Sequence, residues 1–429
     1  MQRKKNKKSK KRPPQIIKRD WIHNVESSIN CDIWLLIAVT LLVCFGLVMV
    51  YSASSYQAEQ RFGDAHFFFK KHLGKLFFGA IVLFVLMNFR YKWWLKTSPI
   101  LLGVSVILLI LVVASPMGVE INGSTRWLRL RGFLFEPSDL AKYSLVIFLA
   151  AFLPKRRKEE PIFNGVLPYL LIVLVVAGAI IAQPDFDTAA IILGCSFLMF
   201  YFAGVEARKV AALALSTVST GIIILSKSGY GEQRLANFLV LLTGKGELSL
   251  QLKQSLAGLS NGFIKGIGLG TSELKYNYLP APFTDFIYSI VGEEFGLFGT
   301  LGVLSLFLFV IWRCVRIAEQ AGDTETRLLA IGITSIFSIY VLLNMAVVTG
   351  IAPTMGLPLP FISYGGTALI THMAAMGIML NISKFTRASN KKYLTSEGYQ
   401  ERMTARSMAP GTGRIKVAKV AYKSRITRV

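Results

Sequence analysis

Long apolar runs without a charged residue recur along most of this chain and limit its fold more than any other feature. Two examples are WLLIAVTLLVCFGLVMVY at residues 34–51 and LPYLLIVLVVAGAIIA at residues 167–182. About 20 apolar residues cross a bilayer as a helix, which satisfies its own backbone hydrogen bonds in lipid. The chain is 53% hydrophobic and 17% charged over 429 residues, more apolar than a soluble domain of this size. The sequence predicts an all-α polytopic membrane protein.

The apolar runs predict a bundle of about ten transmembrane helices within residues 31–383, flanked by basic tails at 1–30 and 384–429. The predicted spans are 33–52, 72–90, 98–116, 138–154, 164–183, 186–204, 208–226, 285–313, 327–349 and 363–382. The connection between spans seven and eight, 227–284, is the longest, and long loops are usually functional or disordered. Because it contains amphipathic and glycine-rich segments, we expect a large extracellular loop with helices on or in the membrane surface.

Lysine and arginine predict the orientation. Residues 1–19 contain many basic residues and no acid, so the N-terminus is predicted to stay in the cytoplasm. Ten spans then place the basic loops 90–96, 154–160 and 204–209 and the C-terminal tail on the same side. This topology and anionic lipid headgroups explain the net charge of +24, and no nucleic-acid partner is predicted.

The outward segment 119–142 is basic, against this trend, since it carries Arg126, Arg129, Arg131 and Lys142. One interpretation is a basic loop tolerated because other charges decide the topology. The other is an anion site, in which Arg binds phosphate through two hydrogen bonds and Trp127 lies at the interface or stacks on a sugar. Ser138 is predicted to cap the next helix, with Asp139 in its first turn and paired with Lys142.

Two further polar segments interrupt the apolar pattern. In QPDFDTA, residues 183–189, Asp187 is predicted to cap the following helix, whereas Gln183 and Asp185 are candidates for the outer cavity. The segment 347–367 is rich in proline and glycine and predicts a stiff wall or platform. Its Ser363 either contacts a ligand or has a structural role.

Three carboxylates lie at the head of the eighth predicted span. Thr284 is a good cap for a helix starting at Asp285, where a carboxylate can meet water and a ligand or simply satisfy the helix dipole. Glu293 lies ~12 Å deeper and ~80° around the axis, and Glu294 is on roughly the opposite side, so the three cannot serve one ion. The two glutamates are predicted to be structural or coupling residues, protonated or paired with Arg or Lys.

Four segments in this order carry a resemblance: GSTRWLRLRGFLFEPSDLAK, QPDFDTA, YLPAPFTDFIYSIVGEEFG and TGIAPTMGLPLPFISYGG. Over roughly residues 30–383 the chain resembles the SEDS family, the FtsW/RodA peptidoglycan polymerases. It is more similar to the division member, FtsW, than to the elongation member, RodA. The family pattern differs at four places: Asp139 replaces Glu, Asp187 replaces Gly, Ala281 replaces Glu, and Asn261-Gly262 replaces Gly-Gly.

The resemblance implies an inverting glycosyltransferase that polymerises lipid II, a disaccharide-pentapeptide on a polyprenyl pyrophosphate, into glycan strands. It implies a bacterial cytoplasmic membrane protein, at the division septum for an FtsW-like member. Its implied partners are a class B penicillin-binding transpeptidase and other division proteins. The essential Asp of the family matches Asp285, and its other site motifs match Arg126, Trp127, Asp139, Lys142, Gln183 and Asp185.

The chemistry then predicts roles for these residues. Asp285 would accept the proton of the sugar 4-hydroxyl, while Arg126 and Lys142 would neutralise the departing pyrophosphate. A divalent cation, Mg²⁺ or Mn²⁺, could assist, and no other cofactor is expected. Two alternatives stay open: a lipid II flippase, which needs polar residues through the full bilayer depth, and a non-catalytic scaffold of the division complex.

Overall fold

The computed structural model describes residues 31–121, 124–130, 133–155, 165–226, 240, 243, 248–276 and 282–386. The two basic tails and much of the predicted loop 227–284 lie outside these residues. In the described part the chain is mostly helical. In chain order the helices are α1 Ile33–Phe62, α2 Phe67–Asn88, α3 Tyr91–Ala114, α4 Pro137–Phe152, α5 Leu167–Ile181, α6 Phe186–Phe202, α7 Ala207–Ser226, α8 Leu250–Gly262, α9 Ile287–Glu319, α10 Thr324–Val348 and α11 Thr367–Thr386.

Each of the ten predicted spans overlaps one of these helices. Among the described residues, five helices are long and apolar enough to cross a membrane, namely α1, α3, α9, α10 and α11. Helices α5 and α6 are apolar but shorter. The structure therefore agrees with a helical membrane protein of several spans, while the number of ten crossings stays a prediction.

The prediction of an all-α chain is wrong in one region, because a small antiparallel sheet lies between α3 and α4. Its strands β1 Gly118–Ile121, β2 Ser124–Leu130 and β3 Phe133–Phe135 pair in the order β1-β2-β3. Side chains alternate between the two faces of a strand, so Arg126 shares the buried face of β2 with Leu128, whereas Arg129 is exposed. This short alternating pattern is invisible to a search for long apolar runs.

The core of the bundle lies around α10 and α11, which are the most buried of the five candidate spans. Their interior carries large side chains such as Phe337 and Tyr340, which are almost fully buried. The outer helices instead expose large apolar side chains, for example Phe77 at 68% and Ile100 at 70%. Such exposure would be costly in water but suits contact with lipid acyl chains.

Helix α9 is broken at Gly296, which has a φ of 65°. The break exposes backbone groups of residues 293–298, and residues 263–268 pair with them as an added strand would. The bonds are Ile267 N–H to Glu293 C=O (3.0 Å), Gly268 N–H to Glu294 C=O (3.0 Å), Leu297 N–H to Phe263 C=O (2.9 Å) and Phe298 N–H to Ile264 C=O (3.4 Å). The glycine-rich GIGLG segment therefore approaches the backbone of α9.

The backbones of α8 and α9 are in close contact at Gly262, so we expect a larger residue at this position to destabilise the protein. A Cβ atom at this position would lie 1.8 Å from the carbonyl oxygen of Gly292, and a backbone atom cannot move aside as a side chain can. Gly262→Ala is expected to cost about 1–3 kcal/mol of stability. The midpoint of thermal unfolding in detergent measures the loss.

The matched control for this substitution is Gly74→Ala in α2, where an added Cβ meets no atom within 4 Å. Because alanine favours a helix more than glycine does, this variant is expected to unfold at an equal or higher temperature than the parent. If both variants unfold at the same temperature, α8 and α9 do not touch as closely as the structure has them.

Candidate active site

The predicted site residues lie in connections and in the neighbouring first turns of helices. Hydrogen bonds join these connections directly. The side chain of Arg126 on β2 donates to the carbonyl of Pro184 between α5 and α6, and the backbone N–H of Gly356 before α11 donates to Asp187 of α6. Asn344 of α10 in turn donates to the carbonyl of Asp285. Four separate stretches of sequence thus form one continuous wall.

Arg126 and Asp185 form a buried ion pair within this wall. Nη1 of Arg126 lies 3.3 Å from Oδ1 of Asp185, and Nη2 donates to Pro184 C=O at 2.6 Å. Asp185 also caps α6, because its Oδ1 accepts from the N–H of Thr188 at 3.2 Å. Burial raises the pKa of Asp185, and the guanidinium of Arg126 opposes this rise. The positive charge of Arg126 is therefore compensated within the protein.

The predicted cap of α6 was the wrong aspartate. Asp187 lies in the first turn, and its Oδ2 accepts from the backbone N–H of Gly356 at 3.0 Å. Because Asp185 stands at the position where its carboxylate can reach the amide three residues later, it takes the capping role. Asp187 instead connects α6 to the loop before α11 through its bond to Gly356.

Helix α4 also begins differently from the prediction. Its first residue is Pro137, whose fixed φ suits this position, and the capping position falls on Glu136. The hydroxyl of Ser138 donates to Oε1 of Glu136 at 3.0 Å, so Ser138 is not the cap. Asp139 lies in the first turn, as predicted.

The predicted pair of Asp139 and Lys142 is present and almost fully buried. Nζ of Lys142 lies 2.6 Å from Oδ1 of Asp139 and donates a second hydrogen bond to the hydroxyl of Tyr340 on α10. The Lys142 side chain is 1% exposed. This ammonium is thus held in the interior between α4 and α10, and its charge is balanced by Asp139.

Glu136 is close enough to both ion pairs for their charges to act on it, and the sequence analysis did not select it. Burial and the negative charges of Asp139 and Asp185 raise the pKa of Glu136 to about 8, while Lys142 opposes the rise. Its backbone N–H donates to Oγ1 of Thr367 at 2.9 Å, which ties the sheet to the start of α11. The acid directly before Pro137 was the available signal for this residue.

Asp285 lies in a turn two residues before Ile287, where α9 begins. The predicted helix start at Asp285 and the predicted cap at Thr284 are therefore wrong. Phe286 occupies the capping position without a side-chain bond. Side-chain amides can span two carbonyls, and Asn344 does so here: Nδ2 donates to the carbonyl of Asp285 at 2.7 Å and of Leu357 at 2.6 Å. The backbone at Asp285 is thus fixed by α10 rather than by the helix it precedes.

Gly356 lies close to the carboxylates of both Asp285 and Asp187. A Cβ atom at this position would lie 3.6 Å from Oδ2 of Asp285 and 3.9 Å from Oδ2 of Asp187. Asp285 is only partly buried. In the described residues, no group of three His, Cys, Asp or Glu side chains is placed to hold a metal ion. Mg²⁺ is commonly held by one or two carboxylates together with substrate phosphates, and Asp187 and Asp285 are the two carboxylates near Gly356 that would supply such donors.

Glu293 and Glu294 point to different elements, as their spacing predicts. Glu293 accepts from the hydroxyl of Ser272 and from the backbone N–H of Glu273 at 3.3 Å. Glu294 accepts from the hydroxyl of Ser52 on α1 at 2.6 Å. The hydrogen-bond donors are hydroxyls and backbone amides, so of the two predicted alternatives, protonation or pairing with Arg or Lys, no direct ion pair is found for either glutamate among the described residues. Both contacts agree with a structural or coupling role.

The remaining predicted site residues have more local surroundings. Trp127 is half-buried on the face of β2 opposite Arg126. Gln183 is buried, and its Nε2 donates to Leu109 C=O at 2.9 Å. The hydroxyl of Ser363 accepts from the N–H of Leu359 at 2.8 Å and closes its own loop. Gln183 and Ser363 thus satisfy neighbouring backbone groups, which favours the structural interpretation of Ser363.

A family model described as "Cell cycle protein", covering FtsW, RodA and SpoVE, matches residues 33–388. The chain belongs to the FtsW/RodA/SpoVE family. The resemblance to these SEDS proteins, predicted from four ordered motifs, is confirmed. The match begins and ends close to the predicted boundaries of the transmembrane region.

Relatives within the FtsW/RodA/SpoVE family match almost end to end. The probable peptidoglycan glycosyltransferase FtsW of Geobacter sulfurreducens is 38% identical over 362 residues, 84% of this chain and 97% of the relative. Stage V sporulation protein E of Bacillus subtilis is 36% identical over 357 residues, 83% and 98% of the two chains. The predicted enzyme class and the closeness to the division member agree with the FtsW name.

Solved structures of the family have the same fold. A chain from a peptidoglycan synthase complex, described as coordinating polymerization and crosslinking, superposes with a TM-score of 0.69 at 26% identity. The alignment covers 83% of this chain and 99% of the other. RodA of Thermus thermophilus gives a TM-score of 0.63 at 24% identity, covering 83% and 98%.

Proposed function

We propose that this chain is a peptidoglycan glycosyltransferase that polymerises lipid II into glycan strands, at the septum of a dividing bacterium. The family and the names of its relatives support the activity and the division role. The observation that carries the proposal is the placement of Asp285. Asp285 is only partly buried and lies next to Gly356 in the loop before α11, whereas Arg126, Asp185, Asp139 and Lys142 are almost fully buried.

Asp285 is proposed as the general base. The 4-hydroxyl oxygen of the acceptor sugar forms a bond to the anomeric carbon of the donor, and the bond from that carbon to the pyrophosphate breaks. The hydroxyl proton passes to the carboxylate of Asp285, and the electron pair leaves with the pyrophosphate. Attack opposite the leaving group inverts the anomeric centre. Asn344 keeps the backbone of the base fixed through its bond to the carbonyl of Asp285.

Arg126 and Lys142 are proposed to contribute in unequal ways. Arg126 faces Asp185 but is 9% exposed, so it is the better placed of the two to reach an oxygen of the leaving group. Lys142 is enclosed by Asp139 and Tyr340. We therefore propose that it supports the structure of the wall and contributes positive electrostatic potential to the site. Trp127 is proposed to contact a sugar, and Gln183 with Asp185 to hold the floor of the cavity. A Mg²⁺ or Mn²⁺ ion, where one binds, would supply positive charge for the departing pyrophosphate.

The proposed topology places this cavity at the outer face of the cytoplasmic membrane. Ten crossings with both termini in the cytoplasm would put all the connections of the site, and the loop 227–284, on that face. A related chain was solved within a complex that coordinates polymerization and crosslinking. By analogy with that complex, we propose a class B penicillin-binding transpeptidase as the partner of this chain.

The test is an assay of the purified full chain in detergent with lipid II, with and without the transpeptidase partner. We expect glycan strands that lengthen with time, because a polymerase needs no closed compartment. Failure to elongate, together with lipid II transfer across the bilayer of proteoliposomes, would indicate a flippase. Failure of both activities in a protein that still recruits division proteins would indicate a scaffold.

A further inference from the structure

Two basic side chains on α2, His72 and Lys75, face the loop before α11. They are three residues apart and so lie on one side of the helix. Both lie against the ring of Tyr364: Nζ of Lys75 is 4.1 Å from its centroid, and the ring centroids of His72 and Tyr364 are 5.6 Å apart.

Lys75 differs from the other cations in the wall of the site. Arg126 and Lys142 are each paired with a carboxylate and almost fully buried. Among the described residues, Lys75 forms no ion pair with a carboxylate, and it is only half-buried. The ring of Tyr364 attracts the ammonium through its quadrupole, but an aromatic ring has no net charge to neutralise it. Lys75 therefore offers a positive charge that no residue of the described wall neutralises.

His72 is a second, independent indication of a ligand. Its side chain is 0% exposed, and neither ring nitrogen has a hydrogen-bond partner in the described residues. A buried polar group without a partner is costly, so such groups are rare unless something outside the chain completes them. A neutral imidazole has one N–H donor, and this ring lies against the same Tyr364 ring as the Lys75 ammonium.

The Tyr364 loop that His72 and Lys75 contact is bonded to the segment that carries Asp285. The backbone N–H of Tyr364 donates to the carbonyl of Phe283 at 2.8 Å, two residues before Asp285. On the other side, a Cβ atom at Gly366 would lie 3.7 Å from Nζ of Lys75 and 3.7 Å from the carbonyl of Leu134 on β3. Lys75 thus reaches the place where the turn before α9, the loop before α11 and the sheet meet.

We propose that Lys75, with His72 beside it, binds the pyrophosphate of the polyprenyl-linked substrate. The inference rests on the proposed function for the identity of the lipid, and on the geometry for the anion. An ammonium and an imidazole N–H match two phosphate oxygens, and the ring of Tyr364 holds the ammonium in place before the ligand arrives. The phosphate of an anionic phospholipid has the same chemistry, so the experiment separates the two sources.

The experiment measures binding in neutral detergent by the full-length chain carrying Asp285→Asn, which prevents turnover. Undecaprenyl pyrophosphate is the probe, and undecaprenol, which lacks phosphates, is its control. Lys75→Gln is expected to weaken binding of the pyrophosphate about tenfold or more and to leave undecaprenol unaffected, because a charge-assisted contact is lost. Lys75→Arg keeps the charge and is expected to retain most of the affinity.

Lys71→Gln is the matched control. Lys71 lies on the same helix and also over an aromatic ring, 4.2 Å from the centroid of Phe67, but it is exposed. It is expected to bind the probe as the parent does. Equal affinities for Lys71→Gln and Lys75→Gln, with both variants eluting as folded protein, would overturn the proposal. An effect of Lys75→Gln that appears only in vesicles containing phosphatidylglycerol, and not in neutral detergent, would assign the residue to phospholipid and overturn it as well.

The same measurement separates this inference from the proposed function. A parent chain that makes no glycan but binds undecaprenyl pyrophosphate through Lys75 would refute the polymerase activity and support the anion site. A chain that polymerises lipid II with the same KM after Lys75→Gln would support the activity and refute the anion site.

Discussion

Asp285→Asn is expected to lower the rate of glycan polymerisation from lipid II at least about a hundredfold, since a positioned general base contributes two to four orders of magnitude. Asparagine has nearly the shape of aspartate but cannot accept the acceptor's proton. The backbone of residue 285 is held by Asn344 through its carbonyl, so the substitution leaves the turn before α9 in place. Gel separation of labelled glycan strands measures the rate, and elution from a sizing column in detergent checks the fold.

Asp64→Asn is the matched control for this variant. Asp64 is also a partly exposed carboxylate in a connection at the same end of the bundle, between α1 and α2, where it pairs with Lys70 at 2.9 Å. It is expected to polymerise lipid II at the parent rate. Undiminished polymerisation by a folded Asp285→Asn protein would remove Asp285 from the chemistry. A parallel loss in both variants would point to a general effect of charge at this end.

The parts of the site that the sequence predicted correctly depend on local geometry. Asp139 and Lys142 are three residues apart at the start of a helix, and a helix brings such residues together whatever surrounds it. The apolar runs likewise predicted helices, because only a helix or a closed barrel satisfies the backbone in lipid. The divergence of Glu293 and Glu294 follows from the same rule.

The parts that the sequence missed depend on contacts between distant segments. In the ion pair of Arg126 and Asp185, the arginine lies on the short strand β2 and the aspartate in the turn before α6. The sequence of neither segment indicates that the other lies against it. Lysines at the head of an apolar span are expected at a membrane interface, so Lys75 carried no signal until Tyr364 was seen against it. The break at Gly296 could not be predicted either, because glycine is common in membrane helices and only its positive φ in the structure identifies a break.

Lys142→Met is expected to lower the free energy of unfolding by about 3–5 kcal/mol, the cost of breaking a buried ion pair by removing one partner. The substitution keeps most of the side-chain volume but leaves the carboxylate of Asp139, itself 3% exposed, without its cation. The hydroxyl of Tyr340 loses a donor at the same time. Denaturant or thermal unfolding in detergent, followed by tryptophan fluorescence, measures the change.

Lys209→Met provides a closely matched control. Lys209 and Glu206 have the same spacing along the chain and the same separation of 2.6 Å, but their side chains are 37% and 67% exposed. Water already solvates both charges there, so this substitution is expected to cost less than about 1 kcal/mol. Equal losses for the two variants would mean that burial does not strengthen the pair of Asp139 and Lys142.

The double variant Asp139→Asn, Lys142→Met then separates stability from chemistry. It removes both charges, and replacing a whole buried pair is often nearly neutral, so most of the stability lost in Lys142→Met should return. A stable double variant that polymerises lipid II would make the ion pair a structural element of the wall. A stable double variant without activity would show that the charges of this pair act on the reaction even from their buried position, because electrostatic stabilisation in a water-excluded site extends beyond direct contact.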